Sequence, residues 1–312
     1  MAELKDKVQN ALDEARMLVL GSQVLIGFEF RAVFETDFET LSFHTRLIKA
    51  GALCLMVLVF ALLASPGAYH QIVERGEDTE KLHSFVTRMM EITLLPFALA
   101  LGIDVYVVAE KSGGRLSGVI AGLATFVVAL FFWYGLEIVA AKNHVDHKEE
   151  RPVKKMSMES HIQKTELKDK VKQVLTEARV VLPGSQALLG FQFAVILMDS
   201  FDKLPLSSKY IHFASLALVT VSVILLMTPA AYHRLVEHGE DTEHFHRFAG
   251  KMLLAAMACL APAISGDLAV VFRLVSGSIA LAVAAAAVFL VFSYGIWFGF
   301  TVYRREKSVT SS

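Results

Sequence analysis

Residues able to do chemistry fall in two kinds of place along this chain. The first is a motif, A-Y-H-x2-V-E-x-G-E-D-T-E-x2-H-x-F, present at 68–85 and again at 231–248. In it His70 and Glu74 stand one helical turn apart, as do His233 and Glu237, and His83 or His246 follows the acids. Imidazole and carboxylate at this density suit a divalent ion, or a cytoplasmic gate that titrates near neutral pH. No H-x3-H or C-x2-C spacing accompanies them, so no metal is assigned. The same residues have a local structural reading. Gly76 or Gly239 ends one helix in the left-handed conformation, and Asp78 or Asp241 caps the next, with acids favoured in its first turn.

The second kind of place is the interior of apolar runs. Ser22, Ile26, Glu29 and Val33 line one face of a helix, and Ser185, Leu189, Gln192 and Ile196 repeat it. Gln23 sits on a neighbouring stripe with Arg16 and Phe30, and Gln186 answers it. An ionisable Glu29 inside lipid costs about 2.5–3.5 kcal/mol on insertion scales, so it must face a partner or a water-filled path. One reading is an ion path lined by Ser22, Gln23, Glu29, Ser185, Gln186 and Gln192. The other is hydrogen bonding between helices that Gly21 and Gly27 allow to approach closely. Asp104 and Asp267 lie in two further runs, each downstream of a proline, Pro96 or Pro262. They suit cation binding, or pairing with Lys111 and Arg273. Gly114, Gly118 and Gly122, four apart, read as helix packing.

These positions need helices across a bilayer to hold them. Of 312 residues 54% are hydrophobic and only 20% charged, and Leu274–Tyr303 has no acid, base or histidine in thirty residues. Such runs exclude a soluble globule, a disordered chain and a disulfide scaffold. A span takes roughly 20 apolar residues. Ala50–Tyr69, Leu116–Leu136, Val180–Met198, Phe213–Tyr232 and Leu274–Tyr303 meet this, and Met17–Phe34, Ile92–Ala109 and Met252–Phe272 meet it with charges inside. Eight spans are therefore expected. Cys54 and Cys259 lie in apolar runs and read as packing residues. No basic leader with an A-x-A site opens the chain, so no cleaved signal peptide is expected. A net charge of −1 gives no reason to expect nucleic acid as a partner.

The chain is written twice. ELKDKV at Glu3–Val8 recurs at Glu166–Val171, an offset of 163, and Glu14–Phe30 and Pro66–Phe85 recur at the same offset. The expected organisation is a first four-helix membrane repeat at 1–141, a polar cytoplasmic linker at 142–165 and a second repeat at 166–312. With four spans each, the repeats enter the membrane the same way round. The fold class is all-α, a polytopic membrane protein with eight transmembrane helices in two parallel repeats. Each repeat opens with an interfacial amphipathic helix, with Leu4, Val8, Ala11, Leu12 and Ala15 on one face and Leu167, Val171, Val174, Leu175 and Ala178 on its counterpart. Lys and Arg concentrate at the termini, in the linker and in the histidine-acid loops, which puts both termini in the cytoplasm of a multi-pass cell-membrane protein. Trp133, Tyr134, Tyr294, Trp297 and Tyr303 read as an interfacial aromatic belt. The motifs EAR-x3-(P)GSQ-x-L-x-GF and AYHR-x-VE-x-GEDTE-x2-H-x-F resemble a family of small bacterial four-helix membrane proteins of unknown function, here in tandem. The resemblance implies the fold and brings no activity.

No nucleophile–base pair, phosphate loop, dinucleotide fingerprint or haem attachment motif is present, so no enzyme and no cofactor is expected. The leading expectation is a membrane ion channel, cation-conducting, lined by the leading helix of each repeat and assembled as a homodimer that brings four repeats together. A carrier for a small solute or ion, with its site between repeats, is the first alternative. A non-transporting structural or pH-sensing protein of the lipid bilayer, using His70, Glu74, His83, His233, Glu237 and His246, is the second.

Overall fold

The computed structural model describes residues 2–135, 166–237 and 240–310. The linker at 142–165 and Gly239 lie outside the described residues. The described chain is helical throughout, without strands. The first half holds α1 (Ala2–Ala32), a short 3-10 turn at Thr36–Thr40, α2 (Phe43–Ile72) and α3 (Glu80–Leu130), which runs into a π turn at Phe131–Gly135. The second holds α4 (Leu167–Val195), the single turn α5 (Asp199–Asp202), α6 (Leu206–Leu235), α7 (Glu243–Ser276) and α8 (Ile279–Tyr294). A π turn at Gly295–Gly299 then leads into α9 (Phe300–Thr310).

Local chemistry sets the boundaries. Ser42, Thr79, Thr242 and Ser278 each accept a backbone N–H from the first turn of the helix that follows, satisfying a donor the helix leaves unpaired. In the histidine-acid loops the caps are thus the threonines, not the expected Asp78 and Asp241. Gly76 does adopt the left-handed conformation (φ 80°) past the end of α2. Gly277 (φ 68°) ends α7, so the uncharged run expected at Leu274–Tyr303 is split and its helix begins at Ile279.

Helix α3 is two arms. Gly114, with φ 82° and ψ 174°, breaks the helical path, and the Tyr134 hydroxyl donates to the Glu91 carbonyl at 2.6 Å. Forty-three residues of straight helix would separate those groups by about 65 Å, so the chain has doubled back. Gly118 and Gly122 let the arms touch. A Cβ on Gly122 would stand 2.7 Å from the Gly102 carbonyl oxygen, and one on Gly118 2.9 Å from that of Tyr106. The expected packing role holds for these two, while Gly114 makes the turn.

Five helices are long and apolar enough to cross a membrane: Phe43–Ile72, Glu80–Tyr134, Leu206–His233, Glu243–Ser276 and Ile279–Lys307. Their outward surfaces are apolar, with Leu116, Ile120, Val288 and Val291 all strongly exposed. That inverts the pattern of a water-soluble bundle and suits lipid. The two leading helices do not pass on hydropathy. Nor are they preceded by a separate amphipathic helix. Nothing breaks the chain between Ala2 and Ala32, and α1 is one rod of about 46 Å. The apolar stripe expected to lie on the membrane surface packs instead on its own half. Val8, Ala11, Leu12 and Ala15 bury against Tyr69, Leu82 and Val86, and Val171 and Val174 against Phe245 and Ala249.

Helices α1 and α4 form the centre. Gln23 lies against Gly184 and Gly27 against Phe191, contacts that climb together along both helices and make them parallel. Trp297 is fully buried between the halves, donating from Nε1 to the Ala61 carbonyl at 2.8 Å and meeting Phe60 edge-on. It is a core residue rather than part of an interfacial belt.

Candidate functional site: two buried polar triads

Glu29 ends up beside α2 and α3. Its carboxylate is buried, and its nearest cation is Lys49, with Nζ 3.9 Å away. Lys49 in turn donates to the Asp104 carboxylate. Neither oxygen of Glu29 accepts a hydrogen bond among the described residues. Three helices therefore bring acid, base and acid together at one depth. Lys49 lies six residues into α2, about 9 Å from its start.

The second half repeats the arrangement with different chemistry. Gln192, His212 and Asp267 stand 163 residues after Glu29, Lys49 and Asp104. The Gln192 amide donates to Asp267 Oδ2 at 2.8 Å. His212 Nε2 donates to the Gln192 carbonyl oxygen at 3.1 Å, and its Nδ1 faces Asp267 Oδ1 at 4.0 Å. Those last two atoms have no hydrogen-bond partner among the described residues. His212 is completely buried, stacked on Phe30 of the first half and edge-on to Phe201. A narrow apolar cavity walled by Ile26, Phe30, Leu53 and Leu188 reaches Asp267 from the seam between halves.

The two triads carry the same surplus. Glu29 and Asp104 outnumber Lys49 by one acid, and Asp267 has no Lys or Arg beside it among the described residues, only His212. An unneutralised carboxylate in a dry, low-dielectric interior costs several kcal/mol, so each site calls for one more positive charge, a proton or a small cation. Neither aspartate uses the partner expected of it. Lys111 pairs with Asp37 at 2.5 Å, and Arg273 donates to the Gly277 carbonyl.

The other expected pore residues are placed differently. Ser22 and Ser185 are buried but turn back on their own helices, donating to the carbonyls of Val19 and Val181. Gln23 is buried against Gly184, while Gln186 lies on the exposed side of α4. The two glutamines do not meet. Lys49 and His212 are the residues that sequence reading misses. The repeat offset, applied to Lys49, would have found both.

The histidine-acid loop of the first half docks on the leading helix of the second. His70, fully buried, shares the Glu177 carboxylate with Gln71, His70 Nδ1 at 2.7 Å and the Gln71 amide at 2.8 Å. Lys170 binds Glu77 at 2.5 Å and Gln173 donates to Asp78 at 2.9 Å. In the second half the loop pairs within itself, His233 with Asp241 at 3.6 Å and Glu237 with His244 at 3.3 Å. His246 is buried, Glu74 is half-buried, and His83 is half-exposed at the start of α3. Among the described residues no group of three His, Cys, Asp or Glu side chains has metal-holding geometry.

A duplicated bundle of apolar helices with one buried polar triad per half defines a membrane-type helical protein built from a tandem unit. The model of a family of unknown function, DUF6328, matches residues 3–137 and again 160–301, and the chain belongs to that family. No curated protein and no solved structure matches the chain.

Proposed function

We propose that this protein moves a small cation, foremost the proton, across a cell membrane through the two triads at 29/49/104 and 192/212/267. The observation that carries the reading is the buried acid in each half, Glu29 in one and Asp267 in the other, with oxygen unpartnered among the described residues. In this reading the chain crosses eight times. The helices at 43–72, 206–233, 243–276 and 279–307 cross once each, the two arms of α3 twice, and α1 and α4 complete the set. Lys and Arg at the chain ends and in the histidine-acid loops put both termini in the cytoplasm.

Each triad works by charge exchange. A proton or cation that neutralises the surplus carboxylate is held at low cost, and it leaves when water or a neighbouring base reaches the site. In the first triad Lys49 is hydrogen-bonded to Asp104, and Glu29, without a hydrogen bond among the described residues, is the acid left to load. In the second, a proton placed between Asp267 Oδ1 and His212 Nδ1 satisfies both orphaned atoms. The ion path thus runs within each half, not between Gln23 and Gln186. The complete burial of His212 and Gln192 favours a site that opens alternately to the two sides, as in a carrier, over a standing pore. Flux in vesicles reconstituted with purified protein separates the two mechanisms. Saturation and counterflow mark alternate opening, and unsaturating conductance marks a channel. A homodimer with four such sites is part of the proposal, and Gln186 on the exposed side of α4 is a polar group for the second copy to meet.

A further inference from the structure

The end of the bundle that holds the histidine-acid loops and α9 carries a second feature, unconnected with the triads. There the seam between halves opens into a cavity of about 620 Å³. Arg75, Lys170, Arg247, Lys251 and Arg305 line it, together with the carboxylates of Glu74, Glu77 and Glu243. Lys170 and Glu77 neutralise one another. Arg75, Arg247 and Lys251 have no carboxylate within 4.0 Å among the described residues. The last two are four apart on α7 and share one face. His246 also lines the cavity. It is 6% exposed, and its Nε2 has no hydrogen-bond partner among the described residues. A buried polar atom without a partner is costly, and one that borders an open, positively charged cavity is placed to meet a ligand.

The ligand chemistry follows from the donors. Guanidinium groups bind tetrahedral oxyanions through paired N–H donors, and Lys251 adds a point charge. Three cations without a carboxylate partner among the described residues suit a phosphate, which carries close to two negative charges near neutral pH. They equally suit a lipid headgroup with two phosphodiesters. The other half does not reproduce the set, because Ser84 stands where Arg247 would repeat. We infer that this seam cavity binds phosphate, through Arg75, Arg247 and Lys251 with His246 as the buried donor.

The test uses the full chain, delipidated in neutral detergent. Inorganic phosphate is titrated by calorimetry against chloride at matched ionic strength, and retention of cardiolipin is followed by native mass spectrometry. The double variant Arg247→Gln with Lys251→Gln changes two exposed side chains and leaves the packing intact. Lys81→Gln, exposed and away from the cavity, is the control. Saturable phosphate binding that weakens at least tenfold in the double variant, and not in the control, assigns the site to a soluble phosphate. Cardiolipin retention lost only in the double variant, with no response to inorganic phosphate, assigns it to a lipid headgroup. Equal behaviour of wild type and double variant towards both ligands overturns the inference.

Discussion

Lys49 and His212 hold the same place in the two halves, 163 residues apart, each between the leading helix and an aspartate. One is a lysine and the other a histidine. The substitution of Gln192 for Glu29 accompanies that exchange, so each triad keeps one more acid than it has Lys or Arg.

Breaking the first triad at its cation should be destabilising. Lys49→Met leaves the buried Glu29 and the half-buried Asp104 with no positive partner. A fully buried pair broken in this way costs about 3–5 kcal/mol, and the partial exposure of Asp104 makes the loss here smaller. Thermal unfolding in detergent should show a drop in Tm. Glu29→Gln, which gives the first half the residue the second already has, should keep or raise Tm.

The junction between loop and leading helix should depend on one carboxylate. Glu177→Ala strips His70 and Gln71 of their shared acceptor in a buried place, at about 1–3 kcal/mol. Glu14→Ala, at the equivalent but exposed position of α1, should leave Tm unchanged.

The α3 hairpin should tolerate no side chain at its crossing. Gly122→Ala sets a methyl against the Gly102 carbonyl and should cost about 1–3 kcal/mol through displaced backbone. Gly21→Ala, which meets open space, should be neutral or stabilising by up to about 1 kcal/mol. Paired melting curves of the two variants check this.

At the end opposite the histidine-acid loops, Glu39 and Lys203 tie the α1–α2 connection to the second half at 2.7 Å. The hydrogen bond from Lys203 holds the Glu39 carboxyl below its ordinary 4.5. A carboxyl depressed in the fold stabilises it above the unfolded value, and the effect fades as pH falls through the folded value. The Tm gap between wild type and Glu39→Gln should therefore be present at about pH 7 and shrink as pH falls below the unfolded value. A gap that widens in acid would contradict the sign.

Much of this architecture is legible from residue order. The repeat and the long apolar helices follow from residue order, and the burial of Glu29 and Asp267 from their place inside apolar runs. Lys49 and His212 escape because each sits just inside the end of a span, where a basic residue looks like an edge marker. Only the third dimension shows Lys49 turned inward to Asp104. The interfacial helices are misjudged for a different reason. Amphipathicity says that one face is covered, not whether lipid or Tyr69 and Phe245 cover it. Trp297 is similar, since an aromatic near a helix end suits either a headgroup or a core. The caps fall to Thr79 and Thr242, while Asp78 is engaged by Gln173 and Asp241 faces His233.

The central claim is that the surplus carboxylates carry charge across the membrane, and ion flux tests it most directly. Purified wild-type protein and the double variant Glu29→Gln with Asp267→Asn are reconstituted in vesicles holding dyes for H⁺, Na⁺ and K⁺. Proton, Na⁺ and K⁺ gradients are then applied in turn. The account predicts flux of at least one of these ions in wild type and a loss of tenfold or more in the double variant, with Tm and monodispersity retained. Wild-type vesicles that stay tight to all three ions, or a double variant that conducts as well as wild type, would contradict it and leave a structural or pH-sensing membrane protein in its place.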